Sequence, residues 1–210
     1  MIHEILPVGL LECNCSIIGD DNTREAMVID PGDEIEDILE VLRQHNLQVK
    51  QIVITHAHID HVGGAMKLRG TTGAPILLNQ NDYALLKLLD VQAAWIGAPN
   101  PGKVEVDRSV TTGETVSAGS HTAQVLHTPG HTEGSICLFF EPEKKLIAGD
   151  TLFAGSIGRT DLPGGSFEQL ASGIGRKLYT LPDDTIVFPG HGPATTTGHE
   201  KRTNPFVAIA

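Results

Sequence analysis

The sequence predicts an α/β fold in which two sheets pack face to face with helices on their outer sides. Three observations carry that expectation. Short apolar segments bounded by turn residues recur along the chain, the order of strands followed by a helix occurs twice, and the segments between them carry the chemically active side chains. With 210 residues, 40% of them hydrophobic, and no second compositional block, one sizeable core is expected, so residues 1–210 are read as a single domain.

Taken in order, residues 2–6, 13–18 and 26–29 read as strands separated by turn-rich pieces such as Gly19-Asp20-Asp21-Asn22. Pro31-Gly32 ends the third. A helix is predicted next: Asp33 can cap it with Glu36 three residues on, and Ile35, Ile38, Leu39 and Leu42 form one apolar stripe. Residues 49–54 form a strand, followed by a helix around 62–69, a strand at 75–78 and a helix at 81–89. The Pro/Gly-rich stretch 97–102 is a mobile connection, because the segments flanking it are too small to fold alone. In the second half, strands at 123–126, 135–140 and 145–147 precede a helix begun by Ser166 with Gln169 as its reciprocal cap. A last strand, 185–188, runs into Pro189-Gly190-His191.

Composition excludes several functions. The formal charge is -11, from 26 acidic against 15 basic side chains with no basic block, which argues against nucleic acid or an anionic membrane as partner. The longest apolar runs, such as 136–140, are too short to span a bilayer, and Met1-Ile2-His3-Glu4 lacks the features of a signal peptide; a cytoplasmic protein is expected. Cys13 and Cys15 fall on one face of a strand and read as packing residues, and without export the acceptor triplet Asn14-Cys15-Ser16 is idle. A small anionic ligand remains compatible, since paired divalent cations locally outweigh a diffuse surface charge.

Chemistry concentrates in Thr55-His56-Ala57-His58-Ile59-Asp60-His61, which follows the apolar run Ile52-Val53-Ile54. Three imidazoles and a carboxylate in a loop after a buried strand serve no packing purpose. Three further residues share that placement: His131 in Thr128-Pro129-Gly130-His131-Thr132, Asp150 after Leu146-Ile147-Ala148-Gly149, and His191 after Phe188-Pro189-Gly190. Each follows an apolar strand and a glycine, so the strand fixes where the chain emerges and the glycine allows a sharp turn. Five imidazoles and two carboxylates suit two divalent cations, Zn2+ first with Fe or Mn as alternatives, each taking three or four protein donors and a shared solvent molecule. His56, His58 and His131 would hold one ion, and Asp60, His61 and His191 the other. Asp150, isolated in sequence from both groups, is assigned to the bridge. His3, His45, His121, His127 and His199 are read as ordinary surface or hydrogen-bonded histidines.

These residues resemble the signature of the metallo-β-lactamase superfamily, over nearly the whole chain from Asp30-Pro31-Gly32 to Pro189-Gly190-His191-Gly192. The resemblance implies a four-layer αβ/βα sandwich with a dinuclear site at one edge of the sheets. Within it, Gly149-Asp150-Thr151-Leu152-Phe153, Gly155-Ser156-Ile157-Gly158-Arg159-Thr160-Asp161, and the ending Gly192-Pro193-Ala194-Thr195-Thr196 with Glu200 and Asn204-Pro205-Phe206 are similar to the glyoxalase II group, in its short bacterial hydroxyacylglutathione-hydrolase-like branch. That implies thioesterase activity on S-lactoylglutathione or a related acyl-glutathione, with a hydroxide shared by the two ions as nucleophile and Asp60 orienting it and accepting its proton.

Departures from the long glyoxalase II proteins are specific. The chain stops before the helical extension that supplies basic residues to glutathione. Arg159 stands in the place of a glutathione-contacting lysine and becomes the candidate for the substrate carboxylate, while Asp161 replaces a tyrosine. Lys201 and Arg202 could supply a replacement cation pair. Persulfide dioxygenases share the ligand pattern and a Gly-Arg-Thr-Asp element like Gly158 to Asp161 but use a single iron, and their segment after the last histidine departs from Gly-His-Gly-Pro. Lactone, phosphodiester and lactam hydrolysis are the other activities that the superfamily implies.

Overall fold

Alternate residues of the central strands feed different cores, and that alternation builds the layers. In the computed structural model, which describes residues 1–208, one sheet is formed by β1 (Ile2–Val8), β2 (Cys13–Gly19), β3 (Glu25–Ile29), β4 (Gln48–Val53) and β5 (Ile76–Leu77), in that order. β1 to β3 pair antiparallel and β3 to β5 parallel, the crossovers being α1 (Ile35–Gln44) and the pair α2 (Ile59–Val62) and α3 (Ala65–Thr72). Helices α4 (Tyr83–Leu86) and α5 (Leu89–Ile96) lead to the second sheet. Its strands are β6 (Thr115–Ala118), β7 (His121–His127), β8 (Ile136–Phe140), β9 (Lys145–Gly149), β12 (Ile186–Pro189) and β13 (Thr195–Thr196), in the spatial order β13-β12-β9-β8-β7-β6. A ribbon, β10 (Leu152–Phe153) with β11 (Ser156–Ile157), and α6 (Phe167–Gly173) with a π-helical continuation, Ile174–Leu178, lie between β9 and β12; α7 (Thr197–Thr203) follows β13.

Ile18, Met27, Ile29 and Val53 of the first sheet pack onto Val125, Leu138, Phe140 and Ile147 of the second. Their chain neighbours Ile17, Val28 and Ile52 point the opposite way, onto Ile38 and Leu42 of α1 and Leu68 of α3. On the far side Cys137, Phe139 and Leu146 meet Leu170, Ile174 and Leu178. The layers therefore run helix, sheet, sheet, helix, as the strand and helix order predicts. Burying a side chain such as Phe140 contributes roughly 1.5–3 kcal/mol, and burial on both faces explains why the central strands read as continuous apolar runs.

Several local expectations are corrected. Asp33 does not cap α1; the cap position is Glu34, with left-handed backbone (φ 46°) and no side-chain cap bond, because its carboxylate accepts from the Gly9 amide instead. The helix around 62–69 is broken at Gly63-Gly64 into α2 and α3, where a β-carbon on Gly64 would overlap Ile35. The helix at 81–89 is a 3-10 turn plus α4, and the sequence does not reveal α5, since Asp90 outside and Gln92 inside an otherwise apolar segment leave no amphipathic period. Two-residue strands β10, β11 and β13 are likewise too short to carry one. Ser166 does cap α6, its hydroxyl accepting from the Gln169 amide, but the cap is not reciprocal: the Ser166 amide donates to the Gly130 carbonyl.

β3 and β4 run parallel, as do β9 and β12, so the loops that follow them leave together at one edge of the sandwich. The Ile136 amide bonds the Thr55 carbonyl across the two sheets there, and the Gly190 amide bonds the Gly149 carbonyl. No helix among the described residues is long and apolar enough to cross a membrane.

Candidate metal centre

That edge brings all seven sequence-predicted residues together. The His56 Nε2, His58 Nδ1 and His131 Nε2 atoms lie 3.0–3.2 Å from one another. Beside them, Asp60 Oδ2 is 3.5 Å from His61 Nε2 and 3.1 Å from His191 Nε2. Asp150 stands between the groups: Oδ1 is 3.4 Å from His61 Nε2, and Oδ2 is 3.5 Å from His131 Nε2 and 3.8 Å from His191 Nε2. His56–His58–His131 and Asp60–His61–His191 are each compact enough to hold one ion.

Lone-pair accounting tests whether cations fit. His131 Nδ1 faces the Arg159 carbonyl at 2.8 Å and His191 Nδ1 the Leu11 carbonyl at 2.9 Å; a carbonyl only accepts, so both Nδ1 atoms carry the hydrogen and both Nε2 atoms present lone pairs inward. The Thr55 hydroxyl donates to Asp30 Oδ2 (2.6 Å), so it can only accept from His56 Nδ1, which turns the His56 Nε2 lone pair inward too. Asp30 Oδ2 also accepts from His61 Nδ1 at 2.9 Å, leaving His61 Nε2 opposite the two carboxylates. His61 Nε2 and Asp150 Oδ1 are buried without a hydrogen-bond partner. Converging lone pairs and carboxylates repel unless a cation lies among them, and the nitrogen and oxygen donors match Zn2+ or a similar divalent ion.

Burial and neighbouring charge divide the imidazoles into two that stay neutral and one, His61, that keeps a proton until a cation takes its place. Burial, reinforced by the neighbouring imidazoles, pushes His56 well below the ordinary imidazole range and His58 down to about 4, keeping both neutral as ligands must be. Burial pulls His61 in the same direction, but Cys13 and the surrounding acids Asp60, Asp150 and Asp30 outweigh it and hold His61 well above that range. Asp60 and Asp150 are in turn held below the usual carboxylate range despite burial, chiefly by His61.

Residues outside the sequence-predicted set hold this arrangement in place. Asp30 adopts left-handed backbone (φ 54°) and takes bonds from the Thr55 amide (2.7 Å), the Thr55 hydroxyl and His61, fixing both ends of the histidine loop. Asp82, fully buried, accepts from the Ala57 amide between two of the histidines (2.9 Å) and from the Thr132 hydroxyl and Gly134 amide beside His131 (2.8 and 2.6 Å). The Gln92 side chain accepts from the Ile59 amide and donates to the Ala57 and Leu85 carbonyls, tying α5 to the loop. Gly190 leaves room: a β-carbon there would collide with Asp150 Oδ1. Asp30 had a sequence signal, a carboxylate between a strand and Pro-Gly; Asp82 and Gln92 had none. Cys13 and Cys15 are buried in the core, Cys13 Sγ lying 3.4 Å from His61 Nδ1, and burial pushes the Cys13 thiol up to about 12.

A cavity of about 320 Å³ opens above the cluster, lined on one side by His58, Asp60, His131, Asp150 and His191 and on the other by apolar side chains of α4, α5 and the loops at Leu11 and Leu162. Arg159 sits at its rim but is paired with Asp161 through two 2.8 Å bonds. Lys201 and Arg202 both turn to Asp183 and are not part of the lining.

A four-layer sandwich with histidines and aspartates converging at one sheet edge defines a metal-dependent α/β protein. The chain belongs to the metallo-beta-lactamase superfamily, whose family model matches residues 8–191. It is 44% identical over 207 residues to the hydroxyacylglutathione hydrolase GloC of Haemophilus influenzae, covering 97% of each chain. Among solved structures it is similar to TTHA1623 in a di-iron-bound form (TM-score 0.88, 36% identity, 97% of this chain and 99% of that one). It is similar also to ETHE1 from Myxococcus xanthus (TM-score 0.84, 32% identity, 99% and 85%).

Proposed function

We propose that the protein is a dinuclear metal-dependent thioesterase of the glyoxalase II type, acting on S-lactoylglutathione or a related acyl-glutathione. The observation that carries this reading is the pair of donor groups sharing Asp150, because two adjoining cation sites at a cavity floor suit the hydrolysis of a polarised carbonyl. The likeness to a hydroxyacylglutathione hydrolase supports the choice of ester. His56, His58 and His131 would hold one ion, Asp60, His61 and His191 the other, with Asp150 between them. Divalent cations so held supply Lewis acidity, polarising a carbonyl and making a water nucleophilic near neutral pH.

The chain's own groups do the rest. Asp60, a carboxylate at neutral pH and exposed to the cavity floor, orients the attacking water and accepts its hydrogen. Asp30, the Leu11 carbonyl and the Arg159 carbonyl keep three imidazoles in fixed orientation, so little reorganisation accompanies the reaction. In the net change the water oxygen bonds to the acyl carbon, the carbon–sulfur bond breaks, and acid and thiol leave. Arg159, released from Asp161, would bind a carboxylate of the glutathione half at the rim.

Elemental analysis beside parallel assays tests the reading. About two divalent ions per chain and cleavage of S-lactoylglutathione are expected, Zn2+ being the first candidate. One iron per chain, with oxygen uptake on glutathione persulfide and no thioester cleavage, would overturn it.

A further inference from the structure

We propose that the apolar wall of the cavity binds the acyl half of the thioester, and that the preferred acyl group is a medium-length saturated chain rather than a short hydroxyacyl group. The inference rests on the thioesterase reading and goes beyond it in naming the acyl class. Its starting point is α5. Leu88, Val91 and Trp95 lie three and four residues apart, on one side of the helix, and are 44%, 40% and 67% exposed. Leu89 and Ala93, turned away from them, are already buried in the core. The outer side therefore adds nothing to the folded core, yet it is apolar and lines the cavity over the metal centre.

The wall offers charge no partner. Beyond the histidine and aspartate floor, the polar lining groups are Gln92, whose amide is used by backbone groups at three positions, and Arg159, which is paired with Asp161. A glutathione moiety, with two carboxylates and an ammonium, would lose its hydration there without compensation. With the carbonyl at the floor, the charged thiol half is left to the open rim near Arg159, and the acyl half lies along Leu88, Val91 and Trp95. A cavity of about 320 Å³ extends from the donor floor along these side chains and leaves space for several methylenes beyond the reacting carbonyl.

Trp95 is the one tryptophan in the chain, so its emission reports directly on this wall. The test uses the metal-loaded full-length protein and glutathione thioesters of lactate, acetate, butanoate, hexanoate and octanoate. The specificity constant kcat/KM is expected to rise about fourfold per methylene. Val91→Asp should lower the octanoyl value at least tenfold more than the acetyl value, and Trp95→Ala should flatten the series in the same direction. S-octylglutathione, a thioether that cannot be cleaved, should shift Trp95 emission to the blue with saturation, and S-methylglutathione should not.

Lactoyl or acetyl esters cleaved as fast as the octanoyl ester, with no Trp95 shift, would overturn this inference and leave the thioesterase reading standing. Absence of any thioester cleavage, with the metals bound, would overturn both. Blue emission in the free protein that reddens on dilution would assign the face to a second copy of the chain and overturn the acyl assignment.

Discussion

The floor and the wall of the cavity are built in opposite ways. On the floor, the donor residues are tethered from behind: Asp30 grips Thr55 and His61, Asp82 spans the Ala57 and Gly134 loops, and backbone carbonyls orient His131 and His191. On the wall, Leu88, Val91 and Trp95 stand on one short helix with large exposure and no polar tether of their own. Reaction chemistry tolerates little displacement, so the floor is over-determined; recognition of an apolar group needs area and shape, which large side chains on a helix provide. Changes to the floor should therefore alter metal content and rate steeply, while changes to the wall should alter preference.

Asp150→Asn is expected to have the largest effect. It preserves shape and removes the negative charge shared by two donor groups. Bound metal should fall by at least one equivalent, measured by elemental analysis, and kcat/KM by more than about 100-fold, beyond the ~10–100-fold typical of a residue acting from outside the ligand set. Far-ultraviolet circular dichroism should be unchanged. Full metal content with full turnover would remove Asp150 from the bridge.

The same contrast governs what the sequence revealed. Ligand candidates were legible because each stands directly after an apolar strand, where residue type and strand end coincide, as in Ile52-Val53-Ile54 before the histidine cluster and Phe188-Pro189-Gly190 before His191. The layers were legible for a related reason: strands buried on both faces, such as Ile17-Ile18 and Met27-Val28, read as continuous apolar runs. Asp82 and Gln92 were invisible because their roles depend on contacts with backbone 25 to 52 residues away in sequence. The wall was invisible for a different reason. Leu88 to Ile96 is apolar except for Asp90, which is exposed, and Gln92, which is buried, so periodicity could not separate the side that packs from the side that lines a cavity. The local pattern at Asp33 resembles a cap, but the cap position is Glu34, whose carboxylate accepts from the Gly9 amide, a contact that no local pattern encodes.

Gln92→Leu probes the joint between floor and wall. It leaves the buried Ile59 amide unpaired and frees two carbonyls, at about 1–3 kcal/mol for such a group, which corresponds to roughly 3–10 °C in Tm for a chain of this size. Metal content should stay at the parent value, while the dependence of kcat/KM on acyl length weakens as α5 loosens. Loss of metal comparable to that in Asp150→Asn would show that floor and wall are one unit and break the comparison.

The smallest effect is expected at the rim, and its sign is informative. The Arg159–Asp161 pair is exposed, so its contribution to stability is small and Tm should hardly move on breaking it. Its contribution to binding is a competition: the guanidinium meets a substrate carboxylate only by leaving Asp161. Arg159→Ala should raise KM for an acyl-glutathione a few-fold with kcat little changed, whereas Asp161→Asn should lower KM by freeing the guanidinium. Opposite shifts in the two variants would place the charged thiol half at the rim, beside Arg159. Matching shifts, or none, would reduce the pair to a surface contact that fixes the loop after β11, and the orientation of the substrate would then rest on the apolar wall alone.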